Sequence, residues 1–152
     1  MYDQQDTNHQ DRVVIVGTDI DKEQKVEETL QELERLVETA GGETVGRIIQ
    51  RRESPDPATY IGKGKLEELK ALQTETQATT VIFDDQLSPA QQRNLEKALE
   101  VKVLDRTALI LDIFAQRARS HGGQLQVELA QMRYVLPRLG GKGLVLSRLG
   151  GG

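Results

Sequence analysis

Four short strand-like runs, each separated from the next by a stretch of helical periodicity, constrain this chain more than any other feature. The first is Val13-Val14-Ile15-Val16, which stops at Gly17; the second spans Glu43 to Arg52 around Val45, Ile48 and Ile49. The third is Thr80 to Asp84, centred on Val81, Ile82 and Phe83, and the fourth is Val101 to Leu104. Between the first two, Val26, Leu30, Leu33 and Val37 recur at spacings of four, three and four, which predicts a helix from an Asp21 cap to about Ala40, halted by Gly41-Gly42. Ser54-Pro55-Asp56-Pro57 interrupts regular structure, because each proline fixes its own φ and restricts the residue before it. Gly62-Lys63-Gly64-Lys65 then leads into a helix with Leu66, Leu69 and Leu72 on its apolar face. Ser88-Pro89 opens the next helix, with a hydroxyl at the cap and proline at the first helical position, and it continues through Leu95 to Leu99. Strands alternating with helices must pair in parallel, since each helix is a crossover connection. The expectation is an α/β domain over residues 12 to 105 with a small, four-stranded parallel sheet, preceded by a disordered tail over residues 1 to 11.

Beyond Asp105 no further strand is expected. Thr107 to Ala118 is rich in Leu, Ile and Ala, and Leu125, Leu129, Met132 and Leu136 mark one face at spacings of four, three and four. If Gly122-Gly123 lies inside it, a long helical arm runs from Arg106 to Leu136, on the order of 45 Å at the α-helical rise. Two adjacent glycines cost roughly 1.5–2 kcal/mol against alanine, so a break there is the alternative. Pro137 ends the arm at residue 137 in either case, and residues 138 to 152 form a basic segment with six glycines, a loop or linker without a conformation of its own.

Composition excludes several kinds of chemistry. There is no cysteine, so disulfides, iron–sulfur clusters and thiolate zinc sites are ruled out, and the two histidines, His9 and His121, lie far apart. No apolar run approaches the roughly 20 residues that span a bilayer and no signal peptide opens the chain, so a cytoplasmic protein is expected. The net charge of −4 is unevenly placed: residues 101 to 152 hold eight basic and three acidic residues, net +5, leaving −9 on the first hundred. A basic end on an acidic body suits contact with a polyanion, although a solvated helix face explains it equally well.

Two kinds of site follow. Gly62-Lys63-Gly64-Lys65 resembles a phosphate loop only superficially, since the four-residue gap between glycines and the hydroxyl after lysine are both missing. Ligands of open parallel sheets sit at the carboxyl ends of the strands, which makes Arg51, Arg52, Lys63 and Lys65 candidate phosphate contacts. Asp84-Asp85 could hold magnesium, but carboxylates just before Ser88-Pro89 more often serve turn and helix-start bonding, so no metal site and no catalytic residue is assigned. The second kind is an RNA contact built from Arg133, Arg138, Gly140, Gly141, Lys142, Gly143 and Arg148, where glycines let the backbone approach phosphate closely; an interdomain linker is the alternative.

Four stretches together resemble one family. They are Pro57 to Lys65, Phe83 to Leu95, Asp105-Arg106-Thr107 with Ile110 to Phe114, and Gln124 to Gln131, and in this order they are similar to the N-terminal region of the HflX-type ribosome-associated GTPases. The resemblance implies an α/β subdomain, then paired long helices, then a G domain that uses GTP and Mg and is absent here, so no cofactor and no enzyme activity is expected of this chain. It also implies binding to the large ribosomal subunit and its rRNA through the loop from Arg138 to Gly152, in splitting or rescue of stalled ribosomes under stress. The rival is an ATP-dependent, helicase-like RNA-remodelling domain that uses the carboxyl edge of the sheet. Gly122 departs from the family, which carries an acidic residue there. With the second arm helix missing, the face of Leu125, Leu129, Met132 and Leu136 lacks an apolar partner, and a homodimer would supply one.

Overall fold

The computed structural model describes residues 10–19, 23–51 and 54–138. The Asp21 cap, Arg52 and the glycine-rich segment from residue 139 onward lie outside them, as do the first nine residues of the expected tail. Four parallel strands, β1 (Arg12–Asp19), β2 (Glu43–Arg51), β3 (Thr80–Phe83) and β4 (Lys102–Asp105), form one sheet in the order β2-β1-β3-β4. Helices α1 (Glu23–Thr39), α2 (Lys63–Thr76) and α3 (Pro89–Leu99) make the crossovers. The α/β architecture read from the alternation is the one found.

Because strand side chains alternate, β1 feeds two cores. Val13 and Ile15 pack with Val26, Leu30, Leu33 and Val37 of α1, whereas Val14 and Val16 pack with Leu69 of α2 and with Leu95 and Leu99 of α3. Gly17 lets α1 lie close over the sheet, since a Cβ there would meet Leu30 at 3.0 Å. Helix α3 starts as the sequence predicts: the Ser88 side chain accepts from the Gln91 N–H, and the Gln91 side chain accepts from the Ser88 N–H.

The structure refines two boundaries. Residues 10 and 11 already pack on the body: Asp11 is buried, its carbonyl accepts from the Glu43 N–H, and Gln10 bonds the Gly41 carbonyl. Of the two expectations for the arm, one continuous helix or a break, the break is the one found. The arm divides into α4 (Arg106–Arg117) and α5 (His121–Val135), and the break is at Ala118–Ser120, ahead of the glycine pair. Ser120 caps α5 by accepting from the Gly123 N–H, so Gly122 and Gly123 fall in the first turn, where helical hydrogen bonding is incomplete anyway. The two helices form a hairpin, since the Tyr134 hydroxyl near the end of α5 donates to Asp105 at the start of α4. Leu109 and Ile113 of α4 join the α1 side of the core, while Leu125, Leu129 and Met132 of α5 and Leu136 just after it remain 48% to 54% exposed.

Candidate functional site

The strand order reverses between β1 and β3, so the carboxyl ends of those two strands are where an open parallel sheet offers its crevice. That crevice is closed by side chains of the protein itself. Asp85, just past β3, accepts from the Thr18 hydroxyl of β1 and, at 2.6 Å, from the Tyr60 hydroxyl. Tyr60 reaches it from a short loop pinned on α3, where Gln91 donates to the Asp56 carbonyl and Asn94 to the Ala58 carbonyl. The backbone of Tyr60 is left-handed, with φ of 67°, an unfavourable state for a bulky residue that its burial and its bond to Asp85 hold in place. Burial, then the Asp85 hydrogen bond, raises the Tyr60 pKa above the usual phenol range. Asp84 binds Arg106 through Nε at 2.8 Å and Nη2 at 2.7 Å, and Arg106 also reaches Glu32 and the Thr29 carbonyl.

Among the described phosphate candidates, Arg51 pairs with Asp19 at 2.8 Å, Lys65 pairs with Glu68 at 3.2 Å, and Lys63 is exposed on the first turn of α2. The structure therefore pairs Arg51, Lys65 and Arg106 with carboxylates at this edge and leaves Lys63 exposed. No described cluster of three or more His, Asp or Glu could hold a metal ion.

A second centre lies at the end of β4, where the fold joins Asp105 to Tyr134 and Arg138, a meeting that the sequence did not suggest. Asp105 is fully buried and accepts three hydrogen bonds: from the Leu87 N–H at 3.0 Å, from the Ala108 N–H at 3.0 Å as the cap of α4, and from the Tyr134 hydroxyl. Burial, then the bond to Asp105, raises the Tyr134 pKa above its ordinary range. Arg138 lies over the Tyr134 ring with its guanidinium carbon 3.8 Å from the centroid and donates to the Leu87 and Tyr134 carbonyls. Arg138, one of the expected RNA contacts, is 9% exposed and fastens the end of α5 to the body. Arg133 stays exposed on α5, and Gly140, Gly141, Lys142, Gly143 and Arg148 lie outside the described residues.

At the opposite, amino edge of the sheet, Asp112 of α4 is 2% exposed. Its Oδ2 accepts from Gln116 at 2.9 Å, but its Oδ1, like Oδ2 of buried Asp11, has no partner. Burial pushes the Asp112 pKa up to about 7, the Asp11 charge adds to the rise, and the Gln116 bond opposes it.

Comparison with known proteins bears on the whole chain. Residues 27–115 match the family described as GTP-binding GTPase N-terminal, and residues 117–152 match the GTP-binding GTPase middle region. The boundary between the two matches falls at the end of α4. The chain is 52% identical over 150 residues to a GTPase HflX of Alkalihalophilus pseudofirmus, covering 98% of this chain and 35% of the relative. It is 48% identical over 139 residues to GTPase HflX of Escherichia coli, covering 91% and 32%. Among solved structures, it is similar to SsGBP in complex with GDP, with a TM-score of 0.69 and 29% identity over 85% of this chain and 36% of that one. A GTP-binding protein from Sulfolobus solfataricus, also with GDP, gives a TM-score of 0.64 at 28% identity over 84% and 38%. The chain thus spans about a third of the length of these curated relatives.

Proposed function

Because this chain belongs to the HflX family of GTPases and spans that family's N-terminal and middle regions, we propose that it docks such a protein on the large ribosomal subunit and its rRNA, in the splitting or rescue of stalled ribosomes in the cytoplasm. In this reading GTP and its Mg are handled outside the two matched regions, and the chain itself is not a catalyst. The observation that carries it is the division of charge, −9 on the first hundred residues against +5 on the rest. At the carboxyl edge of the sheet, by contrast, Arg51, Lys65 and Arg106 are each held by one of the protein's own acids. Arg133, Lys142 and Arg148, with the glycines around residues 140 to 143, are the contacts we assign to rRNA.

Sedimentation with purified large subunits tests this. Three to four phosphate contacts predict an affinity loss of about 40- to 150-fold between 50 and 200 mM salt. Calorimetric titration of the same chain should show no heat with GTP or ATP. Affinity indifferent to salt, or nucleotide hydrolysis lost on Lys63→Ala or Lys65→Ala, would overturn the proposal.

The outward stripe of α5 carries a separate expectation. Its spacing of four, three and four makes a narrow seam of the kind that receives one partner helix, and we propose that a second copy supplies it in this chain. Leu125, Leu129, Met132 and Leu136 are already half covered, so docking each adds about 1 kcal/mol per side chain. Light scattering over a concentration series should show a dimer that Leu129→Glu abolishes. A monomer at every concentration, with well-protected α5 amides, would sink this expectation.

A further inference from the structure

From Ile113 to Val127 the sequence contains no acidic residue, and this stretch is the corner that joins α4 to α5. It exposes an unusual set of side chains. Phe114 is 55% exposed, whereas Tyr60 and Phe83 are buried and Tyr134 is bonded to Asp105 beneath Arg138. Arg117 follows one turn later on the same side of α4, Arg119 sits in the connector, and His121 opens α5; all three are exposed. Among the described residues neither Arg117 nor Arg119 has an acidic partner, while Arg12, Arg47, Arg51 and Arg106 each hold a carboxylate. An exposed ring among uncompensated cations matches the two parts of a nucleotide, a flat base and a phosphate. An apolar protein partner would need a broader greasy surface, and an acidic one would leave the ring without a role.

The corner also lies at a useful distance from the loop assigned above. It sits at the amino edge of the sheet, next to Asp112, whose charge neighbour Asp11 precedes β1. Helix α5 then returns to the carboxyl edge, where Tyr134 meets Asp105, and its 15 residues separate the two ends by about 22 Å.

We infer that the α4–α5 corner is a second RNA-contacting surface, in which Phe114 stacks on an unpaired base and Arg117, Arg119 and His121 take the flanking phosphates. This rests on the ribosome-docking reading and adds a contact at the far end of α5 from the glycine-rich loop. Gly122 provides a test that leaves the fold intact, because a Cβ there meets nothing within 4 Å. Glutamate at that site favours the helix through its propensity and its charge in the first turn, yet it places an acid in the corner.

The experiment measures the full chain against purified large subunits and against a labelled 12-nucleotide single-stranded RNA, with Arg117→Glu/Arg119→Glu, Phe114→Ala, Gly122→Glu and, separately, Lys142→Glu/Arg148→Glu. The arginine reversal should weaken both complexes at least tenfold and flatten the salt dependence. Phe114→Ala should weaken RNA binding about fivefold without changing the salt slope. Gly122→Glu should raise the melting temperature while lowering affinity. If the corner variants all bind within twofold of the parent while the Lys142/Arg148 reversal abolishes subunit binding, the corner inference fails and the docking proposal stands. Failure of the unmodified chain to bind either target sinks both. A loss confined to Phe114→Ala in a salt-indifferent complex points to an apolar protein partner and overturns the RNA assignment.

Discussion

Asp105→Ala should lower the unfolding free energy by about 3–5 kcal/mol and detach the end of α5 from the body. The buried carboxylate serves the Leu87 N–H, the Ala108 N–H and the Tyr134 hydroxyl together. Loss of a helix cap costs about 1 kcal/mol, and each buried donor left without an acceptor adds about 1–3 kcal/mol. Arg138 loses its seat in turn, because the ring it covers is the one held by Asp105. Urea denaturation followed by circular dichroism gives the free energy, and amide exchange in α5 reports the detachment. Tyr134→Phe, which removes one donor and leaves Asp105 two of its three bonds, should cost less than half as much. A loss below about 1 kcal/mol for Asp105→Ala would mean that water reaches the site and that the centre is not the anchor described.

The second large effect depends on pH. Asp112 in the fold titrates near 7 instead of at its usual 3.8, so between these values the folded chain holds a proton that the unfolded chain has released. Stability contributed at this position is therefore intact below about pH 4, declines as pH rises through the window, and is fully lost above 7. A displacement of this size has a ceiling of about 4 kcal/mol. Asp112→Asn cannot ionise and still offers Gln116 a carbonyl oxygen, so it should match the parent near pH 4 and exceed it by about 2–4 kcal/mol at pH 8. Denaturation at both pH values checks this. A difference between the two proteins that does not vary with pH would show that Asp112 is not protonated in the fold. Asp11→Asn should recover a small part of the same gain, since the Asp11 charge adds to the rise that burial causes.

The body was legible because its signals are local. The β-branched run of β1, the alternation of its side chains between two cores, and Ser88-Pro89 each act within a few residues of themselves. The arm stayed open between one helix and two because apolar periodicity continues on both sides of the break. Ser120 carried the signal for a helix start, but the glycine pair just after it drew the expected position of the break past the true one. The candidate cations show a different limit. Arg138 looks like a free charge in a glycine-rich segment, and only the fold brings it to Leu87, 51 positions away. Arg51, Arg106 and Lys65 likewise acquire acidic partners, two of them from other strands and helices, and Asp85 meets Thr18 across 67 positions. Sequence spacing cannot report pairings of that length, so residue types marked the edge as polar without showing that it was closed.

The place of β1 in the middle of the sheet has a consequence for how the chain is made. Translated early, β1 waits for neighbours on both sides: Val16 pairs with Ile48 of β2 and with Phe83 of β3. Helix α1 and β2 arrive first and clothe Val13 and Ile15, but Val14 and Val16 stay bare until α2, β3 and α3 have emerged. A pause that leaves only β1, α1 and β2 outside the ribosome would hold the nascent chain as a two-stranded half with one apolar face open and an unpaired strand edge. Both are the usual starting points for mispairing, so that interval is where the growing chain most needs a chaperone.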